Sequence, residues 1–283
     1  MALRREPTAR QMRLAVELRR LREAAGLNAR QAAALLGVGA PQITHIESAL
    51  AGVSENRLRR MAAHYSCADE DLIGALVAMA TDRTRGWWEG YRGALPTPFL
   101  DLAELEHHAT FLREVTLLFV PGLLQTEEYA RALFAARVPE LAEEEQETRI
   151  RHRADRRTIF EGASATPYEV VIHEAALRIR VSDRGAARLQ LVRLLEVSDV
   201  EHIMLRVIPF DLDGFARASS AMTWAGGSLP KLDTVVRDTP HGSVFLDSEA
   251  QLNAYRTRFR RVEAVSLGPA RSRDFINRLA KEL

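Results

Sequence analysis

The segment after the Gly37-Val38-Gly39 tripeptide carries polar side chains of types that hydrogen-bond to the edges of nucleic-acid bases. These side chains are Gln42, Thr44, His45 and Ser48. Helical periodicity extends from about Ala40 to Leu50. It would bury Ile43 and Ile46, together with Leu50, and would leave the polar set facing outward. The segment therefore predicts a short helix with one apolar face and one hydrogen-bonding face.

A second predicted helix precedes the Gly37-Val38-Gly39 turn and must position the first. Asn28 is suited to cap its N-terminus, and Gln31 three residues later completes a capping box. Gly37 is suited to the left-handed position just past the helix end. The predicted apolar face consists of Ala32, Ala33, Leu35 and Leu36. Two short helices around a tight turn predict a helix-turn-helix, whose second helix enters the major groove of DNA.

The composition indicates a folded chain of two units. The 283 residues exceed a typical single domain, and 47% of them are hydrophobic, which is enough for sizeable cores. The single cysteine, Cys67, excludes an internal disulfide framework and a multi-cysteine zinc site. We find no apolar run long enough for a membrane span and no secretion signal at the start of the chain. We therefore expect a cytoplasmic protein that does not enter a membrane.

The net charge of +1 is divided unevenly along the chain. Residues 1–85 contain 13 arginines and 9 acidic residues, whereas the remainder carries a small excess of acids. Positive charge is thus concentrated in the part that contains the predicted helix-turn-helix, as contact with phosphates requires.

Helical patterns and turn signals predict two domains with different architectures. Five short helices predict an all-α helix-turn-helix domain over residues 1–82, beginning with Thr8 as N-cap and Gln11 completing its capping box. Residues 87–283 predict a larger α+β domain with a mostly antiparallel or mixed sheet. An apolar run over Val115–Val120 comes first, and the predicted strands that follow are Tyr168–Ile172, Ile203–Ile208, Ala221–Trp224, Thr234–Arg237 and Ser243–Leu246. The predicted helices include Leu141–Phe160, Ala186–Val197, one from a Ser248/Gln251 capping box to Val265, and one from Pro269.

Two parts of the chain resemble known families. The residues Leu18–Leu27, Gly37-Val38 and Ile43–Glu47 resemble the Xre/lambda-repressor-like helix-turn-helix family, over residues 14–75. The remainder resembles the C-terminal domain of unknown function that follows this motif in many actinobacterial regulators. The residues that carry this second resemblance are Trp87-Trp88, Tyr91, Val120–Thr126, Tyr129-Ala130, Glu174–Arg178 and Val207–Phe210. Such proteins are grouped as Scr-type, antitoxin-like transcriptional regulators.

The resemblance implies a sequence-specific transcriptional regulator that binds a double-stranded DNA operator. The base-reading positions that it implies are Ala40, Pro41, Gln42, Thr44 and His45. We expect phosphate contacts from Arg10, Arg13, Arg30, Ser54, Asn56 and Arg57. Because one helix-turn-helix domain contacts only a short stretch of DNA, we expect a homodimer on a two-fold operator. A small-molecule ligand, or a small partner protein encoded nearby, is expected to bind the second domain and control the first.

The Leu141–Phe160 segment has acids in its first turns and arginines after them. Glu145–Arg149 and Glu147–Arg151 have the favourable i,i+4 order, so a solvated, dipole-matched helix is the first interpretation. The alternative is an anionic ligand or an acidic partner on the arginine half. The residues of that alternative are Arg149, Arg153 and Arg156.

Enzymatic and metal chemistry find little support in the sequence. The adjacent His107 and His108 point about 100° apart on a helix and cannot bind one ion together. His173-Glu174 lacks the second histidine of a His-Glu-x-x-His motif, because Leu177 stands there. We expect no catalytic residue, no metal and no cofactor. Two alternatives stay open: an antitoxin-like interaction module that neutralises a small partner, and an enzyme with the helix-turn-helix as an appendage.

Overall fold

The computed structural model describes residues 7–82, 84–212, 220–239 and 242–283 of the protein. The chain divides into two compact units, Met1–Gly86 and Trp87–Leu283, which we call the N-terminal and C-terminal units. Among the described helices, none combines the length and apolar character that a bilayer-spanning segment needs.

The N-terminal unit consists of helices, as the sequence predicts. Its helices are α1 (Ala9–Ala24), α2 (Ala29–Leu36), α3 (Ala40–Glu47), α4 (Glu55–His64) and α5 (Glu70–Thr81). Both predicted capping boxes are present: Thr8 and Gln11 exchange hydrogen bonds at the start of α1, and Asn28 and Gln31 do so at the start of α2. These local bonds satisfy N–H groups that have no partner inside the helix, and they fix where each helix begins.

The core of this unit is formed by apolar side chains from all five helices. The fully buried ones include Leu18, Ile43, Leu58, Met61 and Leu76. Helix α3 packs against α1 and α2, while α4 packs against α2 and α5. Helices α2, α3 and α4 are shorter than isolated helices that are stable in water, so the shared core holds them in place.

The C-terminal unit combines helices with one sheet. Its described helices are α6 (Thr97–His108), α7 (Glu127–Ala135), α8 (Glu143–Asp155), α9 (Glu174–Arg178), α10 (Arg184–Val197), α11 (Glu249–Val265) and α12 (Pro269–Glu282). Its described strands are β1 (Phe111–Thr116), β2 (Tyr168–His173), β3 (Ile203–Ile208), β4 (Met222–Gly226), β5 (Thr234–Thr239) and β6 (Gly242–Leu246).

The six strands form a mixed sheet in the order β3-β2-β1-β4-β5-β6. Strands β1, β2 and β3 are parallel, whereas β4, β5 and β6 pair antiparallel. Side chains alternate between the two faces, as the strand period of two requires. Val170 and Ile172 pack with α10 and α12, while Val171 packs with α11 on the opposite face. The predicted fold class, an all-α helix-turn-helix domain followed by an α+β domain with a mixed sheet, is confirmed.

Three predicted elements differ in detail. The apolar run Val115–Val120 leaves the sheet after Thr116, where the pairing with β2 ends, so that Leu118 and Phe119 are exposed. The predicted Leu141–Phe160 helix begins at Glu143, and beyond Asp155 it continues only as a tighter 3-10 turn. The expected capping box of α11 is absent, because the Ser248 hydroxyl donates to the Gln251 side chain, 2.7 Å away, instead of accepting a backbone N–H.

Candidate functional site

Helix α3 turns one apolar face inward and one polar face outward. Gly37 ends α2 with φ 67°, the left-handed conformation expected there, and Gly39 precedes α3 in extended conformation. Ile43 and Ile46 are buried. The outward residues are Ala40, Pro41, Gln42, Thr44 and His45, of which Pro41, Thr44 and His45 are fully exposed and the other two are partly exposed. The structure therefore brings the five predicted base-reading residues onto the accessible face of one helix.

The C-terminal end of α3 differs from the prediction in where the helix ends and in the burial of Leu50. The helix ends at Glu47, not at Leu50, and Leu50 is 48% exposed where burial was predicted. The chain reverses at Ala49, which has φ 56°, and the carbonyl oxygen of His45 accepts hydrogen bonds from the N–H groups of Leu50 and Ala51. Helical periodicity ends at this reversal, so the pattern that places Ile46 in the core does not extend to Leu50. Leu35, predicted on the apolar face of α2, is also exposed.

A buried ion pair holds α3 against α1. The Arg22 guanidinium donates to both carboxylate oxygens of Glu47 at 2.7 Å and to the Leu27 carbonyl at 2.7 Å. The hydrogen bond to Glu47 is the main reason that the pKa of Arg22 is raised. Both residues lie in the family-like stretches, but their pairing could not be predicted from helical spacing because they are 25 residues apart. This pair fixes the orientation of the outward face.

The outward face of α3 offers hydrogen-bonding groups without charge. The Thr44 hydroxyl donates to the Ala40 carbonyl at 3.3 Å, which leaves its lone pairs and its methyl group facing outward. The Gln42 amide and the His45 ring supply donors and acceptors of the kind that read adenine and guanine. No arginine or lysine occurs in this helix, so the commonest guanine contact is absent from it.

The predicted phosphate contacts fall into three groups. Arg30 and Arg57 form no ion pair with any residue that the structure describes, and Asn56 is exposed. Arg10 lies 3.7 Å from Asp82, and the Ser54 hydroxyl already accepts the Arg57 N–H as the N-cap of α4. Those three arginines, with Asn56 and Ser54, remain predicted contacts.

Arg13 differs from the other predicted phosphate contacts because it is buried. It is 7% exposed and lies 3.2 Å from Glu17, one turn along α1. A guanidinium in that position cannot reach a phosphate without leaving its ion pair, which argues against the predicted contact. The charge of Arg13 alone suggested the phosphate contact, and charge gives no information about burial.

In the C-terminal unit, the three arginines singled out from the sequence lie close together and point inward. Arg149 is 5% exposed, pairs with Glu145 and stacks on Phe99. Arg153 stacks on Phe134 with its guanidinium carbon 4.4 Å from the ring centroid. Glu147 pairs with Arg131 and not with Arg151. The solvated-helix interpretation is therefore wrong for this face of α8.

Carboxylates and a tyrosine surround these arginines. Arg156 donates to both oxygens of Glu106, at 2.5 and 2.8 Å, and both side chains are buried. The Tyr168 hydroxyl donates to Glu114 at 2.6 Å. Burial raises the pKa of the Glu114 carboxyl to about 7, since little water remains to stabilise its charge.

His152 lies in an aromatic cluster beside the arginines. Trp87, Tyr91 and Phe99 surround its ring. Burial lowers its pKa to about 3, and the charges of Arg156 and Arg153 add to the effect. The imidazole is therefore neutral at physiological pH and serves packing. Among the described residues, no group of three or more His, Cys, Asp and Glu side chains is placed to hold a metal ion.

Comparison with known families matches both units of the chain. Residues 13–76 match a family described as helix-turn-helix domain, which agrees with the arrangement of α2 and α3. Residues 99–278 match a family described as domain of unknown function (DUF5753). No curated protein and no solved structure matches the chain.

Proposed function

Because its match to DUF5753 spans more than half of its 283 residues, the chain belongs to that family, and we propose that it is a non-catalytic, DNA-binding transcriptional regulator. The helix-turn-helix domain suggests DNA binding. The observation that carries the proposal is the division of α3 into a buried apolar face and an outward hydrogen-bonding face, with the helix held to α1 by the Arg22–Glu47 pair. A regulator of this kind works in the cytoplasm, where its operator lies.

In this proposal α3 is the recognition helix. Gln42 pairs with an adenine edge, and His45 donates to guanine or to a phosphate. Thr44 contributes its hydroxyl or its methyl group, while Ala40 and Pro41 contact thymine methyl groups. A bidentate contact such as that of Gln42 with adenine discriminates between bases by about 1–3 kcal/mol when its geometry is good.

Phosphate contacts supply the sequence-independent part of the affinity. Arg30 and Arg57 are the best placed for this role, because neither is committed to an ion pair among the described residues. Arg10 and the polar groups of Ser54 and Asn56 complete the set. Each phosphate neutralised releases counterions, so binding should weaken as salt is added.

We further propose that two copies of the chain bind a two-fold operator and that the C-terminal unit controls them. A dimer doubles the number of base contacts and sets the spacing of the half-sites at about one helical turn. Control by a small ligand or a small partner protein requires that it bind two states of the protein with different affinity. The buried polar groups around Arg153 support a ligand-binding role for this unit.

Selection of bound sequences from a random DNA pool tests the proposal on the full chain. We expect one enriched motif with two inverted half-sites whose centres are about 10 base pairs apart. Genome-wide immunoprecipitation should recover the same motif from cells. Failure to enrich any sequence, at salt low enough to allow non-specific binding, would contradict the proposal.

A further inference from the structure

Arg153 is a recessed cation without a matching acid. Its guanidinium donates to the side-chain oxygen of Gln125 at 2.5 Å and stacks on Phe134. It forms no ion pair with a carboxylate anywhere in the described part of the chain. The neutral amide of Gln125 satisfies one donor but does not balance the charge.

The acids near Arg153 already have partners. Glu106 is bound by Arg156 through two hydrogen bonds, and Glu145 pairs with Arg149. Glu114 accepts the Tyr168 hydroxyl, and its raised pKa makes it partly neutral near pH 7. Asp238, whose charge also acts on Arg153, is exposed and accepts the Ser243 hydroxyl at 2.8 Å. None of these acids forms an ion pair with Arg153.

Gly122 shows that two of the guanidinium groups converge. A Cβ atom built on Gly122 would lie 3.3 Å from a terminal nitrogen of Arg156 and 3.6 Å from Nε of Arg153. Both groups thus pack against the same glycine, where a larger side chain would crowd them. Two guanidinium groups side by side repel each other, and this adds to the effect of burial in lowering the pKa of Arg153 to about 9.

Burying a cation is costly unless an anion and hydrogen bonds compensate for the lost water. An oxyanion would supply both, because planar guanidinium donors match the oxygens of carboxylates and phosphates. Water reaches part of the arginine pair, since Arg153 is partly exposed and the Arg156 side chain is 11% exposed. The arginine pair is therefore largely buried but not completely sealed from water.

We propose that Arg153 and Arg156, beside Gly122 and with Gln125 positioning Arg153, bind the carboxylate or phosphate group of a small molecule. The identification of that molecule as the effector of DNA binding rests on the proposed regulatory function. Gln125 connects the site to the rest of the unit, because its Nε2 donates to the Val120 carbonyl at 2.6 Å. An anion that draws Arg153 away from Gln125 would alter the packing of the Val120–Gln125 segment.

Thermal unfolding of the full chain in inorganic phosphate tests the site. Wild-type protein is compared in sodium phosphate, in sodium acetate and in sodium chloride at equal ionic strength and pH. Tryptophan fluorescence reports the C-terminal unit, since Trp87, Trp88 and Trp224 all lie there. We expect the better-fitting anion to raise the Tm of this unit by about 5 °C at roughly 100 times its Kd. The larger response identifies the ligand group as phosphate or carboxylate.

Variants separate site binding from the general stabilisation that phosphate gives by exclusion from protein surfaces. Arg153→Gln removes the cation, and Gln125→Glu supplies an internal carboxylate to it. Both are expected to lose most of the anion-dependent shift. Arg151→Gln, an exposed position on the same helix, should keep it. If Arg153→Gln does not fold, the anion-dependent Tm shift of Gln125→Glu alone tests the site.

An unchanged shift in either folded variant, or no anion-specific shift in the wild type, would overturn the proposal. Operator binding is measured in a separate experiment on the same preparations. A chain that binds phosphate at Arg153 but enriches no DNA sequence would refute the proposed function and leave the anion site standing. A chain that enriches a DNA sequence but does not bind phosphate at Arg153 would refute only the anion site.

Discussion

Replacing Glu47 with glutamine removes the carboxylate that balances Arg22 inside the N-terminal unit. The two side chains are 9% and 6% exposed and are joined by two hydrogen bonds of 2.7 Å. In Glu47→Gln the guanidinium would stay buried with only the half-exposed carboxylate of Glu23, 3.7 Å away, as a counter-charge. Breaking a buried pair by removing one partner costs about 3–5 kcal/mol. Because the glutamine oxygen still accepts one hydrogen bond, we expect the lower end, about 3 kcal/mol.

The expected loss is large for a unit of this size. A change of about 3 kcal/mol lowers the Tm of a domain of 60–100 residues by roughly 12 °C or more. Far-UV circular dichroism follows the helices of both units, whereas the fluorescence of Trp87, Trp88 and Trp224 follows only the C-terminal unit. Glu47→Gln should therefore create an early helical transition that tryptophan fluorescence does not detect.

Two further variants test the reasoning behind this magnitude. Arg19→Gln breaks the Arg19–Glu23 pair, which has the same 2.7 Å distance but is mostly exposed, and it should leave the transition in place. The double variant Arg22→Met/Glu47→Leu replaces the buried pair with apolar groups and should recover most of the lost stability. A Tm for Glu47→Gln within about 2 °C of the wild type would refute the assigned role of the pair.

Three more predictions concern binding, pH and packing. Arg30→Gln and Arg57→Gln should each reduce the slope of log affinity against log salt by about 0.9, whereas Arg19→Gln, whose side chain is paired with Glu23, should not. Burial raises the pKa of Glu114 to about 7, above its ordinary value of 4.5, so the folded protein holds a proton that the unfolded chain releases between these pH values. Stability from this group is present at low pH and is lost as pH rises to about 7. The Tm of Glu114→Gln relative to wild type should therefore increase from pH 5 to pH 8. Gln190→Leu removes hydrogen bonds to the Thr126 N–H and the Leu124 carbonyl, and should cost about 2–4 kcal/mol in urea unfolding followed by tryptophan fluorescence.

Each of these predictions has a contradicting result. An unchanged salt slope in both arginine variants would remove Arg30 and Arg57 from the interface. A pH-independent difference for Glu114→Gln would mean that the carboxyl titrates near its ordinary pKa. Wild-type stability in Gln190→Leu would mean that water replaces the lost bonds.

Local features of the fold could be predicted from the sequence because their causes are local. The caps at Thr8 and Asn28 and the left-handed Gly37 involve residues within four positions of each other. The outward face of α3 also follows from helical period. Leu50 was wrongly placed in the core because the reversal at Ala49 depends on hydrogen bonds to the His45 carbonyl, and alanine is an uncommon residue for that conformation.

The polar sites could not be predicted in the same way because their partners are distant in sequence. Arg156 meets Glu106 across 50 positions, and Arg153 meets Gln125 across 28. The alternation of acids and arginines in α8 favoured local pairs, yet only Glu145–Arg149 forms as predicted. Tertiary packing turns the other arginines inward. Helical periodicity cannot predict this orientation, because it depends on contacts with distant parts of the chain.

The most direct test of α3 as the recognition helix is operator binding by the variant in which Gln42, Thr44 and His45 are all alanine. Fluorescence polarisation of a labelled operator would be measured on the full chain at fixed salt, with His64→Ala, exposed at the end of α4, as the control. We predict that the triple variant loses at least about tenfold in affinity for the operator, while its weak binding to unrelated DNA is unchanged. The control should match the wild type. An affinity of the folded triple variant within twofold of the wild type would contradict α3 as the recognition helix.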